Sequence, residues 1–158
     1  MSYLAAVGIT VGFLAGAWVY LSGELSLIGF VGFLGWASYF AAGGGTKGAR
    51  SAFCTNMSGI LWGVITIALS SALPGVPGIA FTILFAAIMC WQAKLGFLGF
   101  IPGTFIGNAA FYASGNNWQG TAVALICGIG LGLLSDVLAK KMSEKKQAGT
   151  DPDRKSVV

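Results

Sequence analysis

Two stretches of this chain are near copies of each other. Phe33–Gly44 reads FLGWASYFAAGG and Phe105–Asn116 reads FIGNAAFYASGN. Phe, Gly, Ala, Ala and Gly recur at matching places. Most other pairs are close in size and polarity, such as Leu34 with Ile106, Tyr39 with Phe111 and Phe40 with Tyr112. Each copy lies in its own apolar run. A duplicated unit that crosses a bilayer an odd number of times must insert its second copy upside down, an arrangement typical of proteins that move solutes.

The bilayer follows from composition. The 158 residues are 56% hydrophobic and 9% charged, with mean hydropathy +0.80, whereas soluble domains are about 25% charged. No globular core of this size needs so much apolar surface, so lipid is the expected solvent. Six runs approach the roughly 17–25 residues a crossing helix needs: 3–21, 25–43, 52–72, 76–93, 96–114 and 119–139. They are joined by SGE (22–24), GGGTKGAR (43–50), SSALPGVPG (70–78), QAK (92–94) and SGNNWQG (114–120), all turn chemistries. The first run lacks a positive flank and a clear cleavage site, so it reads as a retained span.

Charge then sets the orientation. Lys47 and Arg50 fall in the second connection, Lys94 in the fourth, and the Lys cluster follows the sixth run, while the odd-numbered connections carry neither Lys nor Arg. With six spans drawn, every base falls on one side, which puts both termini in the cytoplasm. The two copies then run in opposite directions. The expected fold is an all-α membrane protein of six transmembrane helices arranged as a 3+3 inverted-topology repeat. The spanning domain covers 1–139, with repeat one at 1–73 and repeat two at 74–139. Residues 140–158 form a basic, largely disordered cytoplasmic tail beginning with a short helical extension.

Several chemistries are disfavoured. There is no His, the commonest metal ligand and acid/base. Cys54, Cys90 and Cys127 lie far apart in apolar runs and read as packing residues. GGGTKG lacks the Walker spacing. No acid/base pair sits inside a run, so no enzyme, cofactor or metal is expected. The basic residues form no aromatic-laced stripe, so nucleic acid is not an expected partner. Asp136 stands four residues before Lys140, an i, i+4 ion pair. No ionisable group is expected at mid-depth, which favours passive or at most weakly coupled passage.

The fifth run carries the densest signal. Pro102 and Gly103 are expected to kink it, and a broken helix in lipid is tolerated where protein or a wet cavity satisfies the freed backbone. Thr104, Asn108 and Tyr112 form one polar stripe at i, i+4, i+8. An amide both donates and accepts, which suits a small uncharged solute, although hydrogen bonding between helices is the competing reading. Gly32, Trp36 and Phe40 hold the matching places in the second run, and an aromatic face opposite an amide stripe would make a narrow constriction. Asn56 and Ser58 cap the third helix or line a vestibule. Trp18, Trp91 and Trp118 read as interfacial anchors. Gly29, Gly32 and Gly35, and Gly99, Gly103 and Gly107, let helices approach closely.

The segments GFLGWASYFAAGGGTKG (32–48) and CWQAKLGFLGFIPGTFIGNAAFYASGNNW (90–118) resemble the YcdZ-type bacterial inner-membrane proteins, a family of unknown function. The likeness runs through all six spans and stops at the tail. It implies a small multi-pass protein of the bacterial inner membrane and supplies no activity. The function expected from the residues is a channel or facilitator for a small neutral or weakly charged solute. Its partners would be membrane lipid and further copies of the chain in a homo-oligomer. The alternative is a non-transporting subunit docked on a larger membrane complex.

Overall fold

Apolar runs interrupted by glycine, proline and asparagine become helices joined by tight turns. The computed structural model describes residues 2–148, with side chains through residue 144. Six α-helices follow one another: α1 (Tyr3–Glu24), α2 (Gly29–Ala41), α3 (Gly45–Ala72), α4 (Gly78–Trp91), α5 (Ile101–Ala113) and α6 (Trp118–Ala148). No strand occurs among the described residues. The tail beyond residue 148, expected to be disordered, lies outside the described residues. Helices α1, α3 and α6 are long and apolar enough to cross a membrane.

The other three are shorter than the sequence runs that contain them. Helices α2 and α5 have 13 residues each, or about 20 Å at 1.5 Å per residue, against a hydrocarbon core of about 30 Å. The ends of the two helices are built alike. Ile28 and Phe100 precede them at ψ 88 and 78, outside the helical range. Gly43 and Gly44 end α2 at φ 95 and 67, and Gly115 and Asn116 follow α5 at φ 69 and 67. The Gly44 N–H reaches back to the Tyr39 carbonyl at 3.1 Å, and the Asn116 N–H to that of Phe111 at 3.1 Å. This left-handed closure satisfies carbonyls that the helix end would orphan.

Pro102 does not kink a helix. It stands in the first turn of α5, where its missing N–H would be unpaired anyway. The interruption lies before it, in the 3-10 turns Gln92–Lys94 and Gly96–Leu98. Asn56 does not cap α3 either, because that helix begins at Gly45 and Asn56 is deep inside it.

The core is two helix pairs of the same design. Gly35 of α2 lies against the backbone carbonyl of Leu125 on α6, and Gly128 of α6 against that of Gly32. Likewise Gly107 of α5 lies against the carbonyl of Asn56 on α3, and Gly59 of α3 against that of Thr104. A methyl group at any of the four glycines would overlap backbone. A turn further on, Gly132 faces the Tyr39 ring and Gly63 the Phe111 ring. These glycine contacts of α2 with α6 therefore recur between α5 and α3, at a constant offset along each helix. The numbering rises together within each pair, so α2 runs with α6 and α5 with α3. Helix α2 turns directly back into α3, where Ser38 meets Asn56. The two copies thus point in opposite directions. Helix α2 thus packs on α6, and α5 on α3. Val31, Ile60, Ala110, Phe111, Ala124 and Leu125 form the central apolar cluster.

Candidate functional site: a polar groove between α3, α4 and α5

The two helix pairs differ at one position that decides where space is left. On α2, Trp36 projects toward α6 and its Nε1–H donates to Ser135 Oγ at 3.3 Å. The indole is buried. At the matching place on α5 stands Asn108, a much smaller side chain, and opposite it on α3 the counterpart of Ser135 is Thr66. What the indole fills in one half is an open groove of about 170 Å³ in the other. Thr66, Thr82, Asn108 and Tyr112 line it, with Phe85 and Met89 among its apolar walls.

The groove is rich in hydrogen-bond acceptors. Thr66 donates its hydroxyl to the Trp62 carbonyl at 2.7 Å, and Thr82 to that of Gly78 at 3.3 Å. Asn108 donates one Nδ2–H to the Gly59 carbonyl at 3.2 Å. The lone pairs of both hydroxyls and of Asn108 Oδ1 remain for a guest. A chain of side chains ties together the three helices that frame the groove. Gln92 Oε1, in the 3-10 turn after α4, accepts from Ser58 Oγ at 2.7 Å and Trp62 Nε1 at 2.9 Å. Its Nε2 donates to the buried Thr104 Oγ1 at 2.9 Å. One glutamine thereby ties α3 and α5 to the end of α4. The Trp62 and Phe85 rings pack at 5.4 Å beside it.

A second polar cluster lies at one end of the bundle. The Asp136 carboxylate, almost fully buried, accepts from Tyr3 Oη at 2.7 Å, Tyr39 Oη at 2.8 Å and Lys140 Nζ at 2.9 Å. The Gly45 N–H donates to Tyr39 Oη at 2.7 Å. The expected i, i+4 pair with Lys140 is present. The aspartate also joins the start of α1, the end of α2 and the start of α3 to α6. A third element is the pair Ser38 and Asn56, both with no exposed surface, where Ser38 Oγ donates to Asn56 Oδ1 at 2.9 Å. Asn56 Nδ2 has no acceptor among the described residues.

The residues expected to line a path therefore separate. Asn108 and Tyr112 meet in the groove. Thr104 is buried beneath it, held by Gln92. Gly103 abuts Thr55 and the Phe100 ring, and the exposed Pro102 opens α5. Trp36 and Phe40 do not face the amide stripe, since α2 packs on α6 and α5 on α3. Trp36 is spent on Ser135, and Phe40 sits edge-on to Tyr39 at 5.2 Å. Asn56 pairs with Ser38 away from the groove. Trp18 is not an interfacial anchor. It is buried over Gly32 and donates to the Gly29 carbonyl at 2.8 Å, whereas Trp91 and Trp118 are exposed. Sequence reasoning missed Gln92, read as part of a polar connection, and Ser135, Thr66 and Thr82, read as ordinary span residues.

Apolar helices held together by close glycine contacts and a few buried polar links define an all-helical integral membrane protein. The chain belongs to the family described as Protein of unknown function (DUF1097), whose model matches residues 8–140. It is 36% identical over 157 residues to Uncharacterized protein YahC of Escherichia coli K12, covering 91% of this chain and 95% of that protein. It is 37% identical over 132 residues to Inner membrane protein YcdZ of the same organism, covering 82% of this chain and 81% of the relative. Inner membrane protein YcdZ of Salmonella typhimurium is 36% identical, with 82% of each chain covered. No solved structure matches. The relatives and the three long apolar helices support an inner-membrane location.

Proposed function

We propose that this protein is a passive facilitator for small neutral or weakly charged solutes, working as a six-span inner-membrane protein in a homo-oligomer. The spans form a 3+3 inverted repeat with both termini cytoplasmic. Two observations support that topology. The contacts of α2 with α6 recur between α5 and α3 with reversed direction. The Asp136 cluster gathers the ends of α1, α2, α3 and α6 on one face, the face of Lys47 and Lys140. Segments flanking α2 and α5 complete the short crossings, aided by local bilayer thinning.

The single observation that carries the function is the groove left where Asn108 replaces an indole. Its free oxygens match solutes rich in N–H and O–H groups, such as urea, formamide or glycerol. Its lateral opening is closed by a neighbouring copy. No ion pair or carboxylate lines it, in keeping with uncoupled passage.

The test is stopped-flow swelling of proteoliposomes with urea, formamide, glycerol and short carboxylates. Asn108→Trp copies the other half and should abolish flux while the protein still inserts and keeps its helicity. Permeation equal to empty vesicles for every solute, or undiminished flux in Asn108→Trp, would sink the reading. The first outcome returns the protein to a docking subunit of a larger complex.

A further inference from the structure

At the same face as the Asp136 cluster, a second cavity opens beside the first turns of α3. Its volume is about 280 Å³, and Lys47, Arg50, Ser51, Gly96 and Phe97 line it. Lys47 and Arg50 are exposed, and neither has a carboxylate within ion-pair distance among the described residues. Two cations one helical turn apart, converging on one cleft, repel each other unless an anion sits between them. The opposite wall is unlike a site for a water-soluble anion. It is the 3-10 turn Gly96–Leu98, which pushes Phe97 outward with 55% of its surface bare, next to Leu95 at 53%. Paired cations against bare apolar side chains match a molecule with a phosphate head and a hydrocarbon tail.

We propose that this cleft is a binding site for one anionic phospholipid. Its phosphate sits between Lys47 Nζ and the Arg50 guanidinium, which can hold two phosphate oxygens at once. The Ser51 hydroxyl is at hand for the glycerol or headgroup oxygens, and the acyl chains run along Phe97 and Leu95. The lipid would bridge α3 to the segment that joins α4 to α5. That segment carries Gln92 at its start, so an occupied cleft braces the link that Gln92 makes to α3 and α5.

Native mass spectrometry of the full chain, titrated with phosphatidylglycerol, tests the site. One lipid should bind more tightly than the rest. Each cation near an anionic lipid contributes about a fivefold gain in affinity. Arg50→Gln should therefore weaken that first binding about fivefold, and Lys47→Gln with Arg50→Gln about 25-fold. Arg50→Lys keeps the charge and should lose less than Arg50→Gln, which separates a charge effect from misfolding. Three results would overturn the proposal. Phosphatidylcholine could bind as tightly as phosphatidylglycerol, leaving an apolar cleft alone. Lys141→Gln could weaken binding as much as Arg50→Gln, leaving diffuse attraction. Inorganic phosphate at millimolar concentration could displace the lipid fully, leaving a free-anion site.

Discussion

The Ser38 and Asn56 pair offers a perturbation whose answer the protein already contains. By the recurring contacts, the counterparts of Ser38 and Asn56 are Ala110 and Leu125, both with no exposed surface and both in the central apolar cluster. The same scaffold thus holds a polar pair in one half and an apolar pair in the other. Ser38→Ala alone strips Asn56 of its one side-chain partner. The amide is then buried with neither end satisfied, at a cost of about 1–3 kcal/mol. Asn56→Leu alone loses the hydrogen bond, worth about 0.6 kcal/mol on average and up to about 1.7 between membrane helices. It also removes the orphaned Nδ2, so its net effect should be smaller than that of Ser38→Ala. The double variant discards both polar groups with nearly the same shape, a change that is close to neutral or stabilising. A double-mutant cycle by unfolding in mixed detergent micelles reads the coupling, which should favour the double variant by about 1–3 kcal/mol over the sum of the singles. Additive losses, with the double variant the least stable of the four, would refute the reasoning. They would mean that Asn56 Nδ2 is satisfied by something other than protein and that the pair belongs to a working site.

Gly59→Ala and Gly128→Ala drive a methyl group into the Thr104 and Gly32 carbonyls. Each should lose about 1–3 kcal/mol from overpacking, while Gly130→Ala, which meets nothing within 4 Å, should be neutral or gain up to about 1 kcal/mol of helix propensity. Thermal melts in detergent read all three, and equal behaviour would contradict the close-approach geometry. Tyr39→Phe installs the residue of the other half, Phe111. It removes the 2.8 Å bond to Asp136 and the acceptor for the Gly45 N–H, so it should cost about 1.5–3 kcal/mol. It should also speed protease cleavage in the turn between α2 and α3. An unchanged cleavage rate would show that Asp136 holds the turn without the phenol.

The parts of the fold legible in sequence are those set by local physics. Long apolar runs became α1, α3 and α6, because burial in lipid depends on composition and length. The duplicated twelve residues became two helices with the same boundaries, because the left-handed turns at Gly43–Gly44 and Gly115–Asn116 are fixed by residue type. Pro102 was misjudged because a proline in an apolar run fits a kink and a helix opening equally well. Only the non-helical backbone at Phe100 decides between them. The groove was half legible. The polarity of Asn108 and Tyr112 stood out in an apolar run, but their partners come from α3 and α4. Gln92 meets Ser58 and Trp62 only because the chain returns across α3 after α4, and no local pattern carries that return. Matched sequence positions are not facing positions, so Trp36 does not stand opposite the amide stripe. Helix α2 instead packs on α6 and α5 on α3, which carries matched positions to separate interfaces.

A duplicated scaffold separates what the fold requires from what it permits. Where both halves keep the same chemistry, the backbone dictates it. The glycines at 35 and 107, at 59 and 128, and at 63 and 132 all meet neighbours that leave no room for a side chain. Where the halves differ, the scaffold accepts either solution and packing alone does not choose. Trp36 stands against Asn108, Ser38 against Ala110, Tyr39 against Phe111, and Asp136 against Ile67. The α2–α6 pair spends its polar groups on two links, Trp36 to Ser135 and Tyr39 to Asp136, and the Trp36, Ser135 and Tyr39 donors all reach protein acceptors. The α5–α3 pair leaves Asn108, Thr66 and Tyr112 around an open groove with acceptors to spare. Dispersion alone would favour filling that groove, since its walls lack the contacts that the Trp36 ring supplies between α2 and α6. On the function proposed above, the less well filled pair, α5 with α3, is where a solute would enter.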